Sequence, residues 1–147
     1  MQGGKPPSVK PVSLENEGET LALGAALARM LEPGDVVALS GELGAGKTTL
    51  ARGLIQSRLG EIEVPSPTYT LVQTYEWGEA ELWHCDLYRL ERPDDVFELG
   101  LIDAMEDAVV LIEWADRMGA HLPDDAKRVH IRFDADARVA ELDGFDD

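Results

Sequence analysis

The sequence predicts a single α/β domain, and three observations carry that expectation. An apolar, largely β-branched run at residues 35–40 leads straight into a glycine-rich loop, Gly41 to Thr48. The loop opens a helical stretch at 47–59, and a second continuous apolar run, 108–112, ends in an acidic residue, Glu113. Apolar runs of five or six residues suit strands covered on both faces, the condition of a sheet with helices packed against it. A chain of 147 residues is sized for one domain with its own core. No linker divides it. The expected organisation is a flexible Gly- and Pro-rich arm at 1–9, a domain over 10–142, and an acidic tail over 143–147.

Taken in order, a short strand is expected at 10–14. Leu23, Ala26, Leu27, Met30 and Leu31 then fall at i, i+3, i+4, i+7 and i+8, one face of an amphipathic helix, which Pro33-Gly34 ends. The strand at 35–40, the loop and the helix at 47–59 follow, with Gly60 as a left-handed cap. After Ser66-Pro67 the period changes to two. Tyr69, Leu71, Tyr75 and Trp77 share one side of a strand, and Gly78-Glu79 makes the turn. On the returning strand Leu82, His84 and Asp86 share one face, and Trp83, Cys85 and Leu87 the other. Residues 93–99 read as a short helix with Pro and two Asp in its first turn. After the buried strand at 108–112, strands at 128–133 and 139–142 close the chain.

Composition narrows the function classes. Hydrophobic residues make up 44%, which excludes wholesale disorder. Acidic residues number 29 against 13 Lys plus Arg, a balance of −16, so the chain repels phosphate backbones at long range. It is expected to work beside nucleic acid only where a more basic partner does the holding. Cys85 is the single cysteine, so neither an intrachain disulfide nor a thiol zinc cluster can form. The first residues carry no apolar core of a signal peptide, and no run is long enough to span a bilayer; a cytoplasmic protein without membrane attachment is expected.

The loop matches G-x-x-x-x-G-K-[ST], the phosphate-binding loop. Its glycines let the backbone wrap an anion and aim N–H groups at it, and the following helix adds its partial positive charge. Lys47 reaches the outer phosphates and the Thr48 hydroxyl is placed for Mg²⁺. The Asn-Lys-x-Asp segment by which GTPases read guanine is absent from the sequence, so ATP is the expected nucleotide. Such a site also calls for an acidic residue at the end of a neighbouring buried strand, and Glu113 supplies one. His84, His121, His130 and one thiol make no recognisable ligand set, and His121 and His130 read as structural. Asp86, in Asp86-Leu87-Tyr88-Arg89, has three open roles by spacing alone: a base that positions water, an outer-sphere partner of Mg²⁺, or the cap of the next helix.

Four segments together resemble the bacterial tRNA threonylcarbamoyladenosine biosynthesis family TsaE, also called YjeE. They are Gly41 to Thr49, Ser66-Pro67-Thr68-Tyr69-Thr70-Leu71-Val72, His84-Cys85-Asp86-Leu87-Tyr88-Arg89, and Ile112-Glu113-Trp114-Ala115-Asp116. The resemblance spans about residues 12–133; family members often carry Pro where this chain has Ala115. It implies a P-loop fold with a mixed sheet flanked by helices and a weak ATPase. It also implies a role in N6-threonylcarbamoyladenosine modification at position 37 of tRNAs that read ANN codons. The implied partners are TsaD, which carries the transferase chemistry, and TsaB, with tRNA reached only indirectly. Carried onto this sequence, Leu43, Gly44, Ala45, Gly46, Lys47, Thr48 and Thr49 hold the nucleotide, and Thr48 and Glu113 hold Mg²⁺. Thr68 lies in a switch-like loop near the γ-phosphate, Asp86 serves hydrolysis, Trp114 lies beside the site, and Glu17 to Thr20 help cover the base. Two rival readings remain, a nucleotide-gated adaptor without essential hydrolysis and a small-molecule kinase.

Overall fold

The computed structural model describes residues 10–42, 46–65, 67 and 71–145. The expected arm at 1–9 therefore lies outside the described residues, as do Leu43, Gly44, Ala45 and Thr68. Seven strands form one mixed sheet in the order β1-β7-β6-β2-β5-β4-β3. They are β1 (Lys10–Leu14), β2 (Val36–Gly41), β3 (Val72–Trp77), β4 (Ala80–Asp86), β5 (Val109–Glu113), β6 (Lys127–Asp134) and β7 (Ala137–Asp143). The four central strands, β6, β2, β5 and β4, run parallel. Antiparallel β3 closes one edge, and antiparallel β7, followed by β1, closes the other.

Alternation along the central strands sorts side chains into two cores. Val37, Leu39, Val109, Leu111 and Leu82 point into the first, where helices α1 (Glu17–Ala28) and α2 (Lys47–Leu59) supply Leu27, Leu50, Leu54 and Ile55. Val36, Ala38, Val110, Ile112 and Cys85 point into the second, which is covered by α3 (Leu101–Asp107) and the 3₁₀ segments Pro93–Phe97 and Ala115–His121. β2 and β5 read as continuous apolar runs because both of their faces are buried.

Helix α1 starts on Asn16, whose side chain accepts the Glu19 N–H at 2.9 Å, while Glu19 in turn accepts the Glu15 N–H at 2.7 Å. It crosses α2 through facing glycines. A Cβ added at Gly53 would run into the Leu21 carbonyl and stand 2.7 Å from its Cα, and one at Gly24 would run into the Leu50 carbonyl. The two helix backbones therefore touch at this crossing.

Several boundaries differ from the sequence expectation. Helix α1 stops at Ala28, and Met30 and Leu31 continue only as turn-type hydrogen bonds to Leu27 and Ala28; Met30 is exposed, and Leu31 alone is buried. Gly60 closes α2 with φ 85° but ψ −167°, a positive-φ cap outside the left-handed helical region. Leu71 is not on the strand. It takes φ 68° in a turn whose N–H bonds the Pro67 carbonyl, and β3 begins one residue later. The short helix at 93–99 is a 3₁₀ segment ending at Phe97, and α3 was not foreseen. The acidic tail does not begin at Asp143, which closes β7, and Phe145 is buried in the first core.

Candidate functional site

The parallel strands bring three site residues to one edge of the sheet. β2 ends at Gly41, β4 at Asp86 and β5 at Glu113, with Asp86 and Leu39 both in register with Glu113. Pockets at the carboxyl ends of parallel strands are where α/β folds bind ligands. Glu113, His84 and Asp86 all point toward the α1/α2 side, because each continues the alternation of Leu111 or Leu82.

Gly46, at φ 114°, sits at the start of α2, and Lys47 and Thr48 begin the helix proper. That backbone is easy only for glycine. The described part of the loop thus ends on a 13-residue helix, whose first N–H groups have no partner within the helix. Thr20 of α1 packs beside it, since a Cβ at Gly46 would lie 3.6 Å from the Thr20 methyl. Glu17 pairs with Arg52 of α2 at 3.4 Å, so its carboxylate is engaged at the mouth of the helix pair.

Lys47 is buried, and its ammonium donates to the Gly41 carbonyl at 3.2 Å. It also lies 4.7 Å from the Trp114 ring centre. Among the described residues no carboxylate pairs with it. A buried cation held by one carbonyl and an aromatic face has most of its capacity for anions unspent. The Thr48 hydroxyl donates to Oε2 of Glu113 at 3.4 Å. The same oxygen meets His84 Nε2 at 2.8 Å, with both side chains buried. One hydroxyl and one carboxylate, both hard oxygen donors, are what Mg²⁺ takes from a protein when phosphates complete its shell. Among the described residues no group of three or more His, Cys, Asp or Glu could hold a metal without such help.

Asp86 is buried at the end of β4, and its Oδ1 accepts the Tyr88 N–H at 2.9 Å. Its own N–H bonds the Leu71 carbonyl at 2.9 Å, which ties Leu71 to the end of β4. Trp114 leaves β5 with φ 60°, a left-handed backbone unusual for a large side chain. The turn places its ring against Tyr88 at 4.9 Å, with the Arg117 guanidinium over both rings at 5.4 and 5.8 Å. A cavity of about 410 Å³ opens beside Lys47, between the end of β2 and Trp114, Asp116, Leu122 and Arg128. That is within the usual size of small-ligand sites.

The structure thus brings together Gly46, Lys47, Thr48, Asp86, Glu113 and Trp114. Thr49 follows on α2, and Leu43, Gly44, Ala45 and Thr68 lie outside the described residues. Sequence reasoning missed His84 and Arg117 as neighbours of the site. His84 was within reach, because period-two alternation already set it on the face of Asp86. His121 and His130 have local partners, Asp94 and Ser40, each at 2.8 Å. Burial pushes the Cys85 thiol up to about 12, which makes it inert packing. Among the described residues no helix is long and apolar enough to cross a membrane.

The family model described as threonylcarbamoyl adenosine biosynthesis protein TsaE matches residues 14–140. A Rickettsia bellii protein named tRNA threonylcarbamoyladenosine biosynthesis protein TsaE is 38% identical over 131 residues, 88% of this chain and 91% of the relative. The Nostoc protein of the same name is 39% identical over 140 residues, 91% of this chain and 85% of the relative. The Rickettsia felis protein is longer: at 44% identity over 104 residues, 70% of this chain matches 61% of its length. Among solved structures, Bacillus subtilus YdiB superposes with a TM-score of 0.77 at 28% identity, covering 97% of this chain and 90% of that one.

Proposed function

The chain belongs to the threonylcarbamoyl adenosine biosynthesis TsaE family, and from that premise we propose that it is an ATP-binding, weakly hydrolysing P-loop ATPase of tRNA threonylcarbamoyladenosine biosynthesis. The observation that carries the ATPase reading is Lys47, a buried ammonium without a carboxylate partner among the described residues, next to the Thr48–Glu113 pair. A polyphosphate anion satisfies Lys47, and the start of α2 adds N–H donors to the same place. Thr48 and Glu113 would hold Mg²⁺, which would supply charge neutralisation at the phosphates.

Hydrolysis then asks little covalent chemistry of the protein, since phosphoryl transfer depends on positioning and on offsetting developing charge. Asp86, buried on the strand next to Glu113 and in register with it, is the carboxylate proposed to order an attacking water. Thr68 is the second candidate for that role. The partners proposed are TsaD and TsaB, with tRNA held by them: a chain of net charge −16 has no electrostatic affinity of its own for a phosphate backbone. The cytoplasm is the proposed location.

The test is a mixing experiment. The chain is titrated into TsaB–TsaD with and without ATP, and binding, phosphate release and multi-turnover tRNA modification are followed. ATP-dependent docking and stimulated phosphate release are expected, and Lys47→Ala should abolish both. Modification that proceeds at full rate with Lys47→Ala refutes the ATPase reading. Full activity with a non-hydrolysable ATP analogue would instead leave a nucleotide-gated adaptor. A small-molecule kinase is favoured by one observation, the cavity beside Lys47, which has room for an acceptor. Phosphate release without any added acceptor counts against it.

A further inference from the structure

His84 is fully buried on the core side of β4, yet its hydrogen bond goes to the one carboxylate that the proposed function assigns to the metal. A glutamate has one more rotatable bond than an aspartate and so loses more freedom when it is held still. Something must hold Glu113 in one rotamer, and the described residues offer two contacts, both to Oε2. The Thr48 contact is long, at 3.4 Å, and the His84 contact is short, at 2.8 Å.

The surroundings also select a tautomer. Nδ1 of His84 is buried and has no hydrogen-bond partner among the described residues. A proton there would be an unsatisfied donor sealed from water, and a bare lone pair is the less costly alternative. The carboxylate oxygen facing Nε2 can only accept. The geometry therefore puts a proton on Nε2, which donates it to Glu113. A buried polar pair of this kind adds little net stability over apolar side chains of equal volume. What it supplies is direction.

We infer that His84 is a positioning residue for the metal-binding carboxylate: its Nε2–H pins Oε2 of Glu113 and leaves the other oxygen without a protein partner among the described residues. The inference rests on the proposed nucleotide–metal reading of the site. Outer partners of this kind, when removed, typically weaken metal binding about 10- to 100-fold. His84→Leu keeps apolar volume and removes the donor; His84→Gln keeps an N–H donor.

The probe is Mn²⁺, titrated into the full chain with ADP and followed by electron paramagnetic resonance. The Leu variant should bind Mn²⁺ about 10- to 100-fold more weakly, with metal-free ADP affinity unchanged, and the Gln variant should recover most of the loss. A second readout needs neither variant nor metal. The ¹⁵N shifts of His84 in the free wild-type protein should report the Nε2–H tautomer. An Nδ1–H tautomer overturns the inference, and so does a folded Leu variant with wild-type Mn²⁺ affinity. If the wild type binds no nucleotide at all, the proposed function falls, and this role falls with it. Normal ADP binding with an unaffected Leu variant removes His84 alone.

Discussion

Replacing Gly53 by alanine sets two effects of opposite sign against each other. Inside a helix, Gly→Ala is worth about 1 kcal/mol in favour of the variant from propensity alone. At the α1–α2 crossing, however, the new methyl meets the Leu21 carbonyl and stands 2.7 Å from its Cα, and both are backbone atoms that no rotamer change can move. Ordinary van der Waals separation requires the helices to part by about 1 Å, a gap that forfeits a quarter to a half of each affected dispersion contact. Leu27, Leu50, Leu54 and Ile55 all pack at this layer. Overpacking of well-packed sites costs about 1–3 kcal/mol, and a purely backbone clash belongs at about 3. Subtracting propensity leaves a net loss of about 2 kcal/mol, or roughly 4–8 °C in Tm for a domain of this size. Because α2 carries Lys47 and Thr48, nucleotide affinity should fall as well. Differential scanning calorimetry and urea titration at matched pH measure the first effect, and nucleotide titration the second. A Tm for Gly53→Ala at or above wild type would show that the helices do not touch there.

Two other outcomes follow from burial. Phe145→Ala should cost about 3–5 kcal/mol by urea unfolding, as for a core aromatic, whereas a residue of a loose tail would cost almost nothing. Cys85 should ignore a thiol reagent in the native protein and react once unfolded. Its folded pKa lies near 12, above the ordinary 9.0, so between those values the unfolded chain has released a proton that the folded chain keeps. The thiol's contribution is thus fully present below about pH 9 and is lost toward pH 12, with a slope approaching 1.4 kcal/mol per pH unit. Urea unfolding from pH 8 to 11 should show a slope that flattens in Cys85→Ala; identical slopes refute it.

Much of this was legible in the sequence for a physical reason. β2 and β5 are buried on both faces, so they had to be continuous apolar runs, whereas β6 buries only Val129 and Ile131 on one face and so alternates. The phosphate loop carries its chemistry in backbone geometry, which fixed spacing reveals. What stayed hidden depends on tertiary packing. Helix α3 buries only Leu101 and Ala104, too few to set up a period. The apolar stripe of α1 ran on through Leu31, because Leu31 is buried from a turn as well as it would be from a helix. Phe145 was masked by the acidic residues around it. His84 and Glu113 are 29 residues apart, and only the pairing of β4 with β5 brings them together.

The left-handed residue at Trp114 has a last consequence, for how the chain tolerates changes in length. Glu113 faces the α1/α2 side of the sheet and Ala115 packs in the opposite core, so one residue carries the backbone across the sheet edge. A deletion there would remove Trp114 from Lys47, and an insertion would turn Ala115 and the start of the 3₁₀ segment away from the core they pack in. The Gly78-Glu79 turn between β3 and β4, by contrast, lies at the opposite end of β4 from Asp86 and carries no site residue itself. Variation in length can collect at that hairpin and not at the end of β5.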